Sequence, residues 1–292
     1  LVFWANRMLG LGPDRAYADV MERALYNGAL VGLSLDGTQF FYDNPLESRG
    51  AHHRWNWHRC PCCPPNIARL VSSVGTYMYG EADDEIAVHL YCDSAADLQV
   101  AGQPINIRQE TIYPLDGNIR LTLKPEEAMQ FTLALRVPGW TPNATIRLNG
   151  QPVEIAAIED KGYARLNRLW QAGDVVELDL EMPVQEVQAH PKVGNDQGRV
   201  ALQRGPLVYC LEGVDNGSDL NSVLLRPESK FRCEAVEELG GAPALVTNGL
   251  RESAGGNQLY SIVAPQRQEI EIRAVPYHLW DNRAPGEMLV WI

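Results

Sequence analysis

The residues able to do chemistry crowd into one stretch, His52-His53-Arg54-Trp55-Asn56-Trp57-His58-Arg59-Cys60-Pro61-Cys62-Cys63-Pro64-Pro65-Asn66. Cys60, Cys62 and Cys63 place three thiols within four positions. Soft sulfur donors at this density fit zinc, which binds thiolates tetrahedrally. They fit buried structural thiols equally well, since no second cysteine pair follows downstream and adjacent residues must splay to reach one metal. Further ligands would then come from elsewhere; His52, His53 and His58 can ligate, and a polar loop rich in histidine can also simply be solvated. Proline at positions 64 and 65 suits the first turn of a helix, where the missing N–H has no partner to lose. Thiols just before a helix feel its N-terminal amides and dipole, which favour thiolate. Trp55 and Trp57 offer a flat apolar wall of the kind that lines sugar sites, or core and interface packing.

The elements that position this stretch change character near Gly80. Before it the apolar spacing is helical. Ala16, Tyr17, Val20, Met21, Ala24 and Leu25 follow the Gly12-Pro13-Asp14 breaker, and Ile67, Leu70, Val71, Val74 and Met78 extend a second helix from Pro64 or Pro65. Leu1 to Leu9 reads as the tail of another helix, so the sequence is expected to start part-way through a longer protein. After Asp84 the period drops to two, in Ile86, Val88, Leu90, in Ile119, Leu121, Leu123, and in Phe131, Leu133, Leu135, Val137. Asn149-Gly150 is a two-residue hairpin signal. The fold class expected is mixed and mainly β, a helical segment over 1–82 followed by β-sandwich segments over 83–183 and 184–292.

Composition narrows the function classes. The 292 residues carry 25 Lys+Arg against 37 Asp+Glu, a net charge of −12, which repels phosphate backbones and anionic lipid. Neither a nucleic acid nor a membrane is expected as partner. Six cysteines are too few for a disulfide scaffold in a chain of this length, and the free-thiol cluster points to a reducing, cytoplasmic setting. Cys92, Cys210 and Cys233 fall in apolar strand-like runs and are expected to be buried. Trp140 and Trp170, beside turns, are expected to pack.

Two blocks carry a resemblance. Phe41-Tyr42-Asp43-Asn44-Pro45-Leu46-Glu47 followed by Cys60-Pro61-Cys62-Cys63-Pro64-Pro65-Asn66-Ile67-Ala68-Arg69, together with Pro276-Tyr277-His278-Leu279-Trp280-Asp281-Asn282-Arg283 through Gly286-Glu287-Met288, closely resembles the bacterial β-L-arabinofuranosidases of glycoside hydrolase family 127. The resemblance implies the last helices of an (α/α)₆ barrel over 1–82, then one or two β-sandwich domains. It implies a retaining glycosidase with a zinc-bound cysteine nucleophile at Cys62, a zinc ligand at Cys63, a nearby cysteine at Cys60 and a sugar-site tyrosine at Tyr42. Zn²⁺ is then the cofactor and an arabinose-containing oligosaccharide or glycoside the substrate, and related enzymes dimerise through the C-terminal sandwich. The family's acid/base glutamate and its Glu-x-Cys zinc ligands have no counterpart in these residues; Glu22, Glu47 and Glu81 do not match them. The isolated chain is therefore expected to be inactive. The alternatives from other classes are a non-catalytic zinc-binding module and a carbohydrate-binding module.

Overall fold

In the computed structural model, which describes residues 1–253 and 258–292, the N-terminal residues are helical where the 3.6-residue period placed helices. Helix α1 (Val2–Leu9) buries Val2, Ala5 and Leu9 along one face. Helix α2 (Arg15–Ala24) starts where the Asp14 side chain accepts the Ala16 amide at 2.9 Å, one of the donors that helix geometry leaves unpaired. Helix α3 (Cys63–Ser73) opens on Cys63, with both prolines in its first turn. It stops a turn short of the apolar pattern. Ser73 Oγ hydrogen-bonds back to the carbonyls of Arg69 and Leu70, and Val74–Tyr77 tighten into a 3₁₀ turn.

The rest is mainly β. The residues pack as two units, each discontinuous in sequence: 1–25 with 68–183, and 26–67 with 184–292. The described residues of the first unit contain a five-stranded and a six-stranded sheet. In the five-stranded sheet, Glu85–Val88 runs parallel to Met129–Arg136, and Tyr163–Trp170 lies antiparallel on the other side of that central strand. The six-stranded sheet is antiparallel throughout, and in its Asn118–Pro125 strand Ile119, Leu121 and Leu123 are all buried. Its Ala144–Leu148 and Gln151–Val153 strands join through Asn149 and Gly150, both at positive φ (49° and 79°), the two-residue turn whose twist matches a hairpin. Trp170 is fully buried, its Nε1 donating to the Phe131 carbonyl.

One polar knot ties α2 to these strands. Glu22 sits on the buried face of the helix, 1% exposed, where a lone carboxylate would be costly. The fully buried Arg136 guanidinium donates to both its oxygens and, at 2.8 Å, to Asp19. Tyr113 Oη and Trp140 Nε1 also donate to Glu22. Arg136 Nε reaches the His89 carbonyl at 2.7 Å. Nearby carboxylates hold Arg136 above its ordinary pKa although burial opposes it.

The second unit holds a nine-stranded sheet among its described residues, in which Glu47–Ser48 pairs with Met288–Leu289, the latter with Leu207–Glu212, and that strand with Gln266–Pro276. Of the three cysteines expected inside, only Cys210 is buried; Cys92 and Cys233 are exposed. Cys92 lies between strands. Cys233 faces outward on Arg232–Val236, which among the described residues pairs on one side only, with Ala242–Ser253. An apolar run does not say which face of an edge strand is covered.

His89 is 2% exposed, its Nδ1 2.8 Å from Tyr163 Oη, and Gly80 lies so close that a Cβ there would come 2.6 Å from Nε2. Burial first, and the Arg136 charge second, lower its pKa from 6.5 to about 4. The folded chain therefore refuses a proton that the unfolded chain accepts below about pH 6.5. Stability is intact above that pH and falls as pH drops toward 4, by roughly 2–3 kcal/mol from this group. Urea unfolding at pH 7 and at pH 4.5 should show a smaller loss in His89→Gln than in the unaltered protein; equal losses would assign the acid sensitivity elsewhere.

Candidate functional site

The thiol-bearing loop belongs to the second unit, and its position begins with a short exchange of backbone bonds. Phe40 and Trp55 bond each other's amides and carbonyls at 2.8 and 2.9 Å. Extended backbone turns successive side chains to opposite faces, so Phe41 points inward (3% exposed) and Tyr42 outward (61%). Phe41 stacks against both His52 and Trp280, at ring centroid distances of 5.0 and 4.8 Å, and those two rings lie 6.0 Å from each other. The Arg54 guanidinium lies 4.2 Å over the same ring.

Arg54 is buried, and its two terminal nitrogens donate to main-chain carbonyls: Trp280 at 2.5 Å, Val31 at 2.8 Å and His278 at 3.4 Å. Burial lowers its pKa to about 10, with the charges of Asp281 and Glu212 opposing, so it stays a cation at neutral pH. Asp281, at φ 59°, completes the clamp by accepting the Arg54 amide at 2.9 Å and facing His53 Nδ1 at 2.7 Å. His53 Nε2 lies 3.0 Å from the Gly50 carbonyl, and His52 Nε2 lies 3.0 Å from that of Asp43. Tyr277 Oη donates to the Pro45 carbonyl, and the Val290 amide to that of Leu46. The two sequence blocks singled out above are thus packed on one another.

At the end of this clamped loop stand the cysteines. The Cys62 carbonyl accepts the Asn66 amide at 3.3 Å, the first bond of α3, so Cys62 occupies the N-cap position and Cys63 the first helical one. Cys60 and Cys62 are exposed and Cys63 half-buried. Cys62 and Cys63 sulfurs are 3.7 Å apart, and Cys63 Sγ is 3.9 Å from the Tyr42 carbonyl. Burial, then the hydrogen bond and charge of Cys62 and the charge of Cys60, raise the Cys63 thiol above its ordinary pKa. The sulfur spacing bears on a metal directly: two thiolates about 2.3 Å from a tetrahedral zinc stand about 3.8 Å apart. Cys62 and Cys63 therefore fit two of its four positions. Among the described residues, no group of three or more His, Cys, Asp or Glu side chains is placed to hold a metal.

The other sequence-level candidates separate cleanly. His52 and His53 are engaged in holding the loop, whereas His58 is buried against Tyr42 and Trp55, at ring distances of 5.7 and 5.1 Å. Trp55 and Trp57 are 58% and 61% exposed, with Trp57 edge-on to Phe40. Glu47 accepts from Asn221 and Glu81 from the Gln99 amide, while Glu22 is locked in its knot. Arg54 and Asp281 were not picked out by sequence reasoning. The only signal was their place, Arg54 in the thiol-bearing stretch and Asp281 in the C-terminal block, since a buried Arg binding carbonyls has no pattern of its own.

Removing Asp281 should strand the Arg54 amide and take away one of the charges that compensate the buried guanidinium. Asp281→Ala is expected to cost roughly 2–4 kcal/mol and Asp281→Asn, which keeps the shape, about half as much. Denaturant unfolding of both variants checks this; indistinguishable midpoints would show that the clamp adds no stability.

Comparison with known proteins places matches along the chain. The family model described as "Beta-L-arabinofuranosidase, GH127 catalytic domain" matches residues 1–76, the "Beta-L-arabinofuranosidase, GH127 middle domain" residues 85–182, and the "Glycoside hydrolase family 127 C-terminal domain" residues 184–292. A non-reducing end β-L-arabinofuranosidase of Bifidobacterium longum subsp. longum is 36% identical over 99% of the chain and 47% of its own length. The crystal structure of a GH127 β-L-arabinofuranosidase from Geobacillus stearothermophilus T6 is 45% identical with a TM-score of 0.95, covering 99% of this chain and 48% of that one. Another GH127 β-arabinofuranosidase is 37% identical with a TM-score of 0.92, covering 100% and 48%. The chain spans about half the length of these relatives.

Proposed function

Because the chain belongs to glycoside hydrolase family 127, we propose that it is part of a retaining glycoside hydrolase that releases β-L-arabinofuranose, with Cys62 as nucleophile and Zn²⁺ as cofactor. The observation that carries this reading is the pair of sulfurs at the start of α3, one exposed and the two 3.7 Å apart. The relatives' activities supply the substrate class. Residues 1–82 are read as the last helices of an (α/α)₆ barrel, and 83–183 and 184–292 as β-sandwich domains, the second also a dimerisation surface. The free thiols favour a cytoplasmic setting.

Cys62 and Cys63 would hold the zinc, with Cys60 nearby, and the metal's charge would keep sulfur as thiolate at neutral pH and ease its departure as a leaving group. The amides opening α3 favour negative sulfur at the same place. Cys62 Sγ attacks the anomeric carbon, a C–S bond forms, and the glycosidic C–O bond breaks as a carboxylic acid protonates the leaving oxygen. Water, deprotonated by that carboxylate, then attacks the same carbon from the face the first bond left. The C–S bond breaks, the thiolate returns, and two inversions give net retention. Tyr42, projecting outward beside Cys63, binds the sugar, and the exposed Trp55 and Trp57 faces wall it. The resemblance implies that the acid lies outside these 292 residues; Glu22, Glu47 and Glu81 do not match it and make structural bonds. The 292 residues alone are thus expected to be inactive.

Zinc content and hydrolysis of an aryl β-L-arabinofuranoside, measured on the full-length enzyme, test this. Cys62→Ala should lower kcat by on the order of 10⁴-fold or more, as loss of a nucleophile does, and Cys63→Ala should lose bound zinc and turnover together. Normal turnover by Cys62→Ala would remove Cys62 from the nucleophile's role.

A further inference from the structure

Of the three histidines in the thiol-bearing loop, His58 alone has both ring nitrogens buried without a hydrogen-bond partner among the described residues, in a side chain only 3% exposed. Buried polar atoms are almost always paired, and an exception asks for a cause. A structural water needs two to four polar partners, but the rings packed on His58 are those of Tyr42 and Trp55. A metal would gather further ligands, and no group of three or more metal-binding side chains forms among the described residues. What one nitrogen of a neutral imidazole does suit is a hydroxyl, which can accept from the ring N–H or donate to the bare nitrogen.

The two covering rings are the ones able to give way. Tyr42 and Trp55 are 61% and 58% exposed, while the Trp55 backbone is pinned to Phe40 by two hydrogen bonds. For His58 to be reached, these side chains and not the backbone must turn aside. Tyr42 also ties this spot to the thiols, its ring against His58 and its carbonyl 3.9 Å from Cys63 Sγ. A furanose entering between them would lay an apolar ring face on Trp55 and present a hydroxyl to the uncovered imidazole. We infer that His58 is a specificity-determining residue that takes one hydroxyl of the arabinosyl unit held beside Cys62. This rests on the hydrolase reading above and adds to it the group that recognises the sugar's hydroxyl pattern.

The test uses the full-length enzyme with p-nitrophenyl β-L-arabinofuranoside and its 2-, 3- and 5-deoxy analogues. The unaltered enzyme should lose about 10- to 100-fold in kcat/KM on one of the three, the cost of one unmade hydrogen bond. His58→Phe keeps a ring but no nitrogen. It should lose a similar factor on the parent glycoside, no longer distinguish that deoxy analogue from the parent, and melt no lower than the unaltered enzyme. His58→Gln, which keeps a donor and an acceptor, should restore part of the discrimination. If His58→Phe discriminates among the analogues as the unaltered enzyme does, the inference is overturned whatever happens to melting temperature, and the nitrogens serve packing alone. If the unaltered enzyme does not turn over the parent glycoside, the hydrolase reading falls and this inference with it.

Discussion

A guanidinium withdrawn from water must be answered by acceptors, and the answer given to Arg54 organises the second unit around the thiol-bearing loop. Its donors reach the carbonyls of Val31, His278 and Trp280, and its flat face covers Phe41. These contacts bring residue 31, residue 41 and residues 278–280 to one point, so the loop cannot shift without exposing a charge to apolar surroundings. Asp281 adds a compensating charge and holds the Arg54 amide itself. The cysteines are presented at the end of a segment whose position has been set several residues earlier. Such support from behind is what fixes a reactive group to within a fraction of an ångström.

The first unit solves a related problem with the opposite sign. There the costly group is a carboxylate, Glu22, and the answer is Arg136 with Tyr113 and Trp140. Charge meets charge in that knot, whereas around Arg54 charge meets mainly main-chain dipoles. The knot also explains why a buried glutamate on a helix, ordinarily an attractive candidate for acid chemistry, has no capacity left: its oxygens already accept from three side chains.

Local pattern made much of the fold legible. Asp14 and the spacing of Tyr17, Val20, Met21 and Ala24 gave away α2, Asn149-Gly150 its hairpin, and Ile119, Leu121 and Leu123 their strand. The pairing of residues 26–67 with 184–292 had no such trace, because contacts across some 230 positions leave no local period. Cys92 and Cys233 misled for a related reason: their runs look apolar, and only the structure shows that one lies between strands and the other faces outward on an edge. At the site, the adjacency of Cys62 and Cys63 was visible in the sequence, and their 3.7 Å separation required the structure. The isolation of His58 was hidden altogether, since His52, His53 and His58 are chemically alike and only their neighbours tell them apart.

Arg54 reads backbone rather than side chains, and this distributes mutational freedom unevenly. Val31, His278 and Trp280 contribute carbonyls that any residue would supply, so on this account their side chains can drift as far as packing allows. Arg54 itself has no such latitude. Lysine would bring a single ammonium where a planar fork now donates to three carbonyls and lies over a ring. Substitutions around this clamp should therefore be absorbed on the receiving side and refused on the giving side, a one-sided tolerance that a contact between two side chains would not produce.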